Sequence, residues 1–287
     1  MLSRLTKVTV TTAAGAAAVL LAAGCGSSSS PGSSQSPASG SSASGMSPLQ
    51  AIALAADHSK QVTSFASTLN MQLSGASAGT ISGTMQEQTK PSVLMDVNMS
   101  TVKISGQSVP GGMQEILTGN DLYMKMSLLS QELHKPWVIL PLSELQKGTG
   151  VDFSQILQQV ESNDPLVQTQ MFTSAKDLKA LGTQTIDGVQ TTHYSGTYTV
   201  TAGISKLPAS MRSMVTKQLK TAGISQVHFN AWIDGQHQIR KVQVAETGSS
   251  ETINITMQIT GIGQQVNIAI PAKSQTATLP ASALKGM

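Results

Sequence analysis

Cysteine is almost absent from this sequence, since only one of the 287 residues, Cys25, carries a thiol. A single thiol cannot form an intramolecular disulfide, and it cannot supply the several thiolates of a structural zinc site. The folded part of the chain is therefore expected to contain neither a disulfide nor a cysteine metal site, and it must be held together by its apolar core.

Aromatic and charged side chains are also scarce. The chain has four Phe, three Tyr and two Trp, and charged residues make up 11% of it. The formal net charge is +3, but Arg4 and Lys7 precede residue 25, and without them sixteen basic residues face fifteen acidic ones. No basic block is interleaved with aromatic residues, so the composition predicts no nucleic-acid partner.

Recognisable catalytic motifs are largely missing too. No G-x-S-x-G sequence and no Walker loop occurs, and Ser100–Lys103 matches S-x-x-K only within a strand-like stretch, where the lysine is not one helical turn away. The five histidines show no metal-ligand spacing: His58, His134, His193, His228 and His237. His193 and His228 fall on the polar phase of predicted strands. We expect no enzyme, no metal and no cofactor.

The N-terminal residues have the features of an export signal. Arg4 and Lys7 precede an uncharged apolar stretch, which is followed by Ala22, Ala23 and Gly24 immediately before Cys25. The stretch is short for a membrane span, and the order of the features is that of a cleaved secretory signal peptide at 1–24. A cysteine directly after the small residues resembles the bacterial lipobox, which predicts lipidation of Cys25. The alternative is a free cysteine beside an ordinary cleavage site.

The segment after the cysteine has the composition of a flexible tether. Eleven of the residues 26–45 are Ser, four are Gly, and none is charged. Such a segment cannot bury enough apolar surface to offset the entropy of ordering. We therefore divide the chain into a signal peptide at 1–24, a lipidated cysteine with a disordered tether at 25–45, and a single folded domain at 46–287.

Within the folded domain, alternation of apolar and polar residues predicts antiparallel strands. The pattern occurs in five segments: 65–73, 93–99, 227–233, 253–259 and 266–270. Hairpin turns are predicted at Gly119-Asn120-Asp121, Asp187-Gly188 and Asp234-Gly235. These signals indicate an α+β fold, in which a large curved antiparallel sheet carries a few helices on its concave face.

Helices are predicted at fewer places. Ser47, Pro48 and Gln50 form a capping box, and we expect the helix to run to about residue 62 with Leu49, Ile52, Ala53 and Ala56 facing inward. Shorter helices are predicted over 153–160 and from Asp164-Pro165. The clearest late helix is predicted over 208–222, with Gly223 ending it and an apolar stripe of Met211, Met214, Val215, Leu219 and Ala222.

The order of these elements resembles a known family. Five features carry the resemblance: a lipobox and tether, a first helix leading into a meander, and the sequences Gly119 to Lys125, Asp187 to Tyr194 and Trp232 to Lys241. In these features the chain is similar to the actinobacterial LppX/LprG-type lipoproteins. Their fold is similar to that of the carriers LolA and LolB. The resemblance implies a half-open barrel with helices over an apolar cavity for acyl chains, and it covers about residues 49 to 280.

Under that resemblance, one set of apolar residues is expected to line the cavity. The candidates are Met211, Met214, Val215, Leu219, Val227, Phe229, Ile253, Ile255 and Met257. The fourteen methionines of the chain would suit a cavity that meets flexible chains, although methionine also fills ordinary cores. The residues alone leave both readings open.

Two functions therefore remain. One is an exported, monomeric lipoprotein on the outer face of the cell membrane, which binds, and on the further hypothesis transfers, a lipid or acylated glycolipid. The other is an envelope interaction or scaffolding lipoprotein with a packed core and no small-molecule ligand. The protein partners and the identity of a lipid are not encoded in any recognisable motif.

Overall fold

The computed structural model describes residues 46–75, 78–143, 165–221, 223–248 and 251–278. The predicted signal peptide, Cys25, the tether and the helix predicted at 153–160 lie outside the described residues. Within the described part, thirteen strands join one sheet and a small number of helices accompany it. The sheet is curved and does not close, which confirms the predicted α+β, half-open architecture.

The strands of the first half of the chain are β1 (Ser64–Gly75), β2 (Gly79–Gln88), β3 (Leu94–Ile104), β4 (Gln107–Ser108), β5 (Met113–Leu117), β6 (Asp121–Met126) and β7 (Trp137–Pro141). Those of the second half are β8 (Lys179–Ile186), β9 (Val189–Thr199), β10 (Gln226–Asp234), β11 (Ile239–Thr247), β12 (Glu251–Thr260) and β13 (Thr276–Thr278). The helices are α1 (Pro48–Ser59), α2 (Ser127–Leu133), α3 (Pro165–Gln168), α4 (Val200–Ile204) and α5 (Ala209–Thr221), with short 3-10 helices at Thr169–Ser174 and Lys273–Gln275.

The first and last long strands pair at the centre of the sheet. The order is β13-β7-β6-β5-β3-β2-β1-β12-β11-β10-β9-β8, and β4 pairs with β3 outside this path. Every pairing is antiparallel except that of β13 with β7. Two meanders are thus joined through β1 and β12, so residues far apart in sequence share one continuous face.

The predicted alternation is confirmed along β1. Phe65, Ser67 and Leu73 are buried, whereas Thr68 and Asn70 between them are exposed. We call the face that carries Phe65 and Leu73 the inner face, because the apolar residues of the helices join the same hydrophobic cluster. Each neighbouring strand contributes every second residue to it, as the period of a strand requires.

The three predicted hairpins are confirmed. Asp187 and Gly188 have φ angles of 47° and 78° and connect β8 to β9 as a two-residue turn, whose positive φ angles suit a primed turn. Between β5 and β6, the hydroxyl of Thr118 accepts hydrogen bonds from the backbone N–H groups of Asn120 and Asp121. Between β10 and β11, the turn is organised by the carboxylate of Asp234.

Helix α1 begins as predicted and ends earlier than predicted. Ser47 and Gln50 form the reciprocal capping box, but the helix stops at Ser59 rather than near residue 62. The prediction that Leu49 faces inward is wrong: its side chain is 50% exposed. It lies in the first turn, where Ala51 is the buried residue, and the stripe that packs consists of Ile52, Ala55 and Ala56 with Ala51.

Helix α5 follows the predicted boundaries. Gly223 has a φ of 67°, its N–H bonds to the Lys220 carbonyl, and the Ile224 N–H bonds to the Leu219 carbonyl. These two bonds form a Schellman motif, which only a residue tolerant of positive φ closes without strain.

The prediction of a strand at 266–270 is wrong. This segment joins no strand pairing, although Ile268 is buried and Val266 is half-buried. Both pack with Ile116 and Tyr123 on the opposite, outer face of the sheet. The alternating pattern therefore reflects packing across β5 and β6 without backbone pairing to them.

Candidate functional site

One half of the inner face is filled by helices. The 3-10 helix at Thr169–Ser174 contacts α1, α3, α4 and β9. Its Phe172 ring stacks on the Phe229 ring of β10 with centroids 4.0 Å apart, and Tyr198 of β9 lies 6.1 Å from Phe229. Over β9 and β10, the interior is therefore closely packed by aromatic rings.

Most of the residues predicted to line a cavity come together in a single cluster. The strongly buried members are Val215 and Leu219 of α5, Val227 and Phe229 of β10, and Ile253 of β12. Ile255 and Met257 pack against this cluster and remain partly exposed. Met211 is buried on α5, and the prediction for the side chain of Met214 lies outside the described residues. The helix stripe and the strand stripe thus share one interior, and their role towards a ligand stays a prediction.

The centre of the inner face carries apolar side chains that keep part of their surface accessible. One register row of the inner face contains four half-buried residues, Val244, Ile255, Met71 and Val102. Ile81, which lies between Met71 and Val102 in this row, is buried. Met257 and Leu69 continue the surface in the next row, and Ile104 lies beyond Val102 on β3. We call these seven residues the apolar band: Leu69, Met71, Val102, Ile104, Val244, Ile255 and Met257.

The sheet bends next to the apolar band. The pairing of β2 with β3 shifts register between Ser82 and Thr84, at Gly83. A Cβ on Gly83 would lie 2.0 Å from the Asn98 carbonyl oxygen. Glycine at this point lets the two backbones approach, and the irregularity accentuates the local twist. The residue paired with Leu69 on β2 consequently carries no side chain.

A small cavity opens at one end of the inner face. Its volume is about 190 Å³, and it is bounded by the end of α1, the start of β1 and the turn between β10 and β11. His58, Thr63 and Gln238 supply polar atoms, while Leu166 and Ile239 supply apolar ones. The ring of His58, which lines this cavity, lies 5.9 Å from that of His237 in the turn between β10 and β11.

Inward carboxyl groups were not expected from the sequence, and two of them have strongly raised pKa values. Glu115 of β5 is 5% exposed and lies opposite Val97 of β3 and Met124 of β6. In the part of the chain that the structure describes, its Oε1 atom has no hydrogen-bond partner. Burial raises the pKa of Glu115 to about 8, so the carboxyl is mostly protonated at neutral pH.

The second carboxyl, that of Glu246, lies on β11 between Val227 and Ile253 at the other end of the inner face. Burial raises its pKa to about 7. Tyr198 occupies the same row beyond Val227, and its pKa is well above the ordinary range because the phenol is buried and the charge of Glu246 opposes ionisation. With a pKa of about 7, the Glu246 carboxyl is about half protonated near pH 7.

A signal for Glu115 was present in the sequence. It falls between Met113 and Leu117 on the apolar phase of β5, where a charged residue breaks the alternation. Charged residues are rarely buried without a partner, so a carboxyl on the apolar phase of a strand indicates a position with a special environment.

The outer face carries the polar residues that could have suggested catalysis. His228 lies 3.5 Å from the Ser195 hydroxyl and 3.3 Å from that of Thr197. Asp177 instead accepts a hydrogen bond from the Thr197 N–H, which lowers its pKa. Because this carboxylate does not orient the imidazole and the group is exposed, it lacks the geometry of a Ser-His-Asp triad.

A second outer-face group is structural. The ring of His193 stacks on Trp232 with centroids 4.3 Å apart, and the Lys241 ammonium lies 4.7 Å from the Trp232 ring. The Trp232 indole N–H also donates to the Gln184 side chain at 2.7 Å. Side chains of β8, β9 and β11 thus cover Trp232 on the outer face. This packing accounts for the position of His193 on the polar phase of β9.

No group of three or more His, Cys, Asp or Glu residues suited to a metal ion occurs within the described ranges. None of the helices in the described part of the chain is both long and apolar enough to span a bilayer.

Comparison with known proteins gives weak sequence similarity. No family model matches the chain. A curated 31.2 kDa protein of Streptomyces griseus, named only as an uncharacterised product of the rplA–rplJ intergenic region, is 28% identical over 147 residues. The match covers 50% of this chain and 48% of that protein, so the chain spans about half the length of the curated relative that it matches.

Similar solved structures include two mycobacterial lipoproteins. LppX of Mycobacterium tuberculosis aligns with 77% of this chain and 98% of its own, at 18% identity and a TM-score of 0.43. LprF of Mycobacterium bovis aligns with 78% of this chain and 97% of its own, at 12% identity and a TM-score of 0.48. These neighbours include LppX, a member of the family that the sequence resembles. Scores below 0.5 describe a likeness in shape and assign no ligand to this chain.

Proposed function

We propose that this protein is an exported, membrane-anchored lipoprotein that binds a lipid or acylated glycolipid on the inner face of its sheet and transfers it at the cell envelope. The observation that carries the proposal is the apolar band. Seven apolar side chains of β1, β3, β11 and β12 lie on the inner face of the sheet, and each is half-buried rather than buried. A group of accessible apolar side chains on neighbouring strands is typical of a binding site for apolar ligands.

The composition of the inner face suits a ligand of variable shape. Met71 and Met257 lie in the apolar band, and Met95 and Met113 are half-buried beside it. Methionine side chains have three rotatable bonds and a polarisable sulfur, so they adapt to acyl chains without a fixed geometry. The many apolar contacts would supply affinity, and no single side chain would be essential.

The N-terminal region supports the location. Lipidation at Cys25 would hold the protein at the outer face of the membrane, since diacylation exceeds the single chain that gives marginal binding. A tether of twenty flexible residues would have a root-mean-square span of about 25 Å, from roughly 5–6 Å times the square root of the residue number. The folded domain could then reach lipid in the adjacent leaflet and swing away from it.

A second candidate is an envelope interaction or scaffolding lipoprotein without a ligand. The observation that favours it is the packing of Phe172, Tyr198 and Phe229, together with the burial of Val215 and Leu219 in the same cluster. If equivalent packing extended over the apolar band, no space would be left for a lipid.

Mass spectrometry of bound lipid distinguishes the two functions. The mature protein would be purified from its native envelope, and organic extracts of it would be compared with extracts of the Ile255→Trp and Asn254→Trp variants. Ile255 points into the apolar band, whereas Asn254 is its exposed neighbour on the same strand. Stoichiometric lipid in the wild type and in Asn254→Trp, with loss in Ile255→Trp, is the expected result. Absence of lipid from all three proteins would favour the scaffolding function.

A further inference from the structure

Two buried polar atoms of the inner face lack partners, and they lie in one register row. The row runs from Ser67 of β1 through Met85 and Val97 to Glu115 of β5. Ser67 is 3% exposed and Glu115 is 5% exposed. The Ser67 Oγ atom and the Glu115 Oε1 atom make no hydrogen bond in the described part of the chain.

The two groups cannot satisfy each other. Three strand spacings separate β1 from β5, which places the backbones about 14 Å apart at roughly 4.8 Å for each spacing. Buried polar atoms are almost always hydrogen-bonded, because an unmet hydrogen bond in an apolar interior carries the full desolvation penalty of the group. Two such atoms in one row therefore indicate a molecule that supplies their partners.

The surroundings of Glu115 restrict the chemistry of that molecule. Its cross-strand neighbours are Val97 and Met124, and Met113 and Leu117 precede and follow it on the inner face of β5. Val97 belongs to the larger apolar cluster and Leu117 to the smaller one, so the carboxyl lies where the two clusters meet. A ligand that reaches it must be mainly apolar.

The charge state sets what the carboxyl can bind. With a pKa of about 8, Glu115 is protonated at neutral pH and can donate its O–H to an acceptor oxygen. The inner-face residues of the flanking strands β3 and β6 are apolar, and the next inward titratable group is Glu87, beyond β3 on β2. Helix α2, which contacts β6 and β7, carries the exposed Glu132. None of these residues is a cation that would neutralise an anionic ligand.

We infer that Glu115 and Ser67 form a polar subsite on the inner face that hydrogen-bonds an acceptor oxygen, of the ester or ether type, in an uncharged amphiphile. The inference rests on the proposed function and deepens it, since it names the polar groups that orient the ligand. The apolar band alone would bind that ligand without a fixed orientation. Glu115 donates the hydrogen bond, and Ser67 bonds a second oxygen further along the same molecule.

The test compares two probes that differ only in an ester. Methyl palmitate and octadecane, each delivered from cyclodextrin, are titrated into the full mature chain at pH 6.5. The wild type is expected to prefer the ester. Glu115→Leu should lower that preference about tenfold, the size of one hydrogen bond, while octadecane binding persists. Ser67→Ala should leave this preference unchanged, because the single ester of methyl palmitate cannot also reach Ser67, and it should instead weaken binding of a long-chain dimethyl diester whose two ester groups lie about 14 Å apart. Leu117→Met, which changes a buried apolar neighbour on the same strand and face, should leave the binding of both esters unchanged.

The isosteric variant Glu115→Gln controls for folding and for charge. Its amide N–H still donates, so the ester preference should survive and should be constant from pH 6 to 9. In the wild type the preference should fall through pH 8 as the carboxyl ionises. Unchanged preference in Glu115→Leu with octadecane still bound would overturn the subsite and leave the proposed function standing. Failure of the wild-type chain to bind either probe would overturn both.

Discussion

The rings of Phe172 and Phe229 stack with 5° between their planes and 4.0 Å between their centroids. Phe172 lies in the 3-10 helix at Thr169–Ser174 and Phe229 at the centre of β10, so this pair fastens the helical layer to the sheet. Both side chains are almost completely buried, at 3% and 0% exposure. The pair marks a closely packed part of the interior, whereas the side chains of the apolar band are half-buried.

Replacing Phe172 with Ala should destabilise the fold. Removal of a buried phenyl ring leaves a cavity, and such changes cost about 3–5 kcal/mol, of which stacking itself accounts for roughly 0.5–1.5 kcal/mol. Urea denaturation followed by circular dichroism would measure the loss. The Phe172→Leu variant keeps most of the apolar contact and should lose less. Equal stability of wild type and Phe172→Ala would show that this layer is not anchored by the pair.

A Trp at Ile255 should block lipid binding without unfolding the protein. If the apolar band faces open space, the larger ring fills it and displaces ligand. In a packed core, the same change would overpack and cost about 1–3 kcal/mol. Bound lipid and melting temperature are measured together, with Asn254→Trp as the control on the exposed face of β12. Met214→Trp tests the helix stripe in the same way. Lost stability with unchanged lipid would contradict an open band.

The stability of the protein should fall as the pH rises from about 5 to 8. Glu115 ionises near pH 4.5 when unfolded and near 8 when folded, so between these values the folded state holds a proton that the unfolded state has released. Stability therefore decreases across this window, and Glu246 adds to the decrease up to about pH 7.

The Glu115→Gln variant isolates this contribution. It cannot ionise, so its loss of stability between pH 5 and 8 should be smaller than that of the wild type, by at most roughly 4 kcal/mol at about 1.36 kcal/mol for each pH unit. Urea midpoints at the two pH values supply the comparison. Identical pH dependence in the two proteins would mean that Glu115 ionises normally in the folded state.

Asp234→Ala should destabilise the turn between β10 and β11. The nearly buried carboxylate accepts hydrogen bonds from the backbone N–H groups of Gln236 and Gln238 and pairs with Arg240 at 2.7 Å. Breaking one partner of a buried pair costs about 3–5 kcal/mol, so a loss near the lower end is expected. Asp57→Ala removes an exposed pair with Lys60 and should cost less than about 1 kcal/mol. Thermal unfolding of the two variants tests the difference, and equal melting temperatures would contradict the role of Asp234.

Cys25→Ser should release the protein from the membrane or leave its precursor uncleaved. The expectation follows from Arg4 and Lys7, the apolar stretch and the small residues at 22–24. Fractionation of cells, with immunoblotting for precursor and mature forms, is the measurement. Substituted protein that is still processed and still membrane-bound would rule out lipidation at this residue.

Local signals in the sequence were sufficient for many elements of the fold. The capping box of Ser47 and Gln50, the positive-φ turn at Asp187-Gly188 and the alternation along β1 each depend on residues within a few positions of one another. The same rules failed at 266–270, because an alternating pattern reports which side chains are buried and does not report whether the backbone is paired. They failed at Leu49 because periodicity along a helix cannot show where its packing partners begin.

The sequence by itself determined the faces of the strands, the turns and the caps, since short-range sterics and hydrogen bonds govern them. Only the tertiary structure decided that β1 pairs with β12, bringing Ala66 and Thr260 together across 194 residues. It alone brought Ser67 and Glu115 into one row and left the apolar band half-buried beside a packed aromatic layer. Register and the filling of space are properties of the assembled sheet, because each depends on contacts between segments that are distant in the chain.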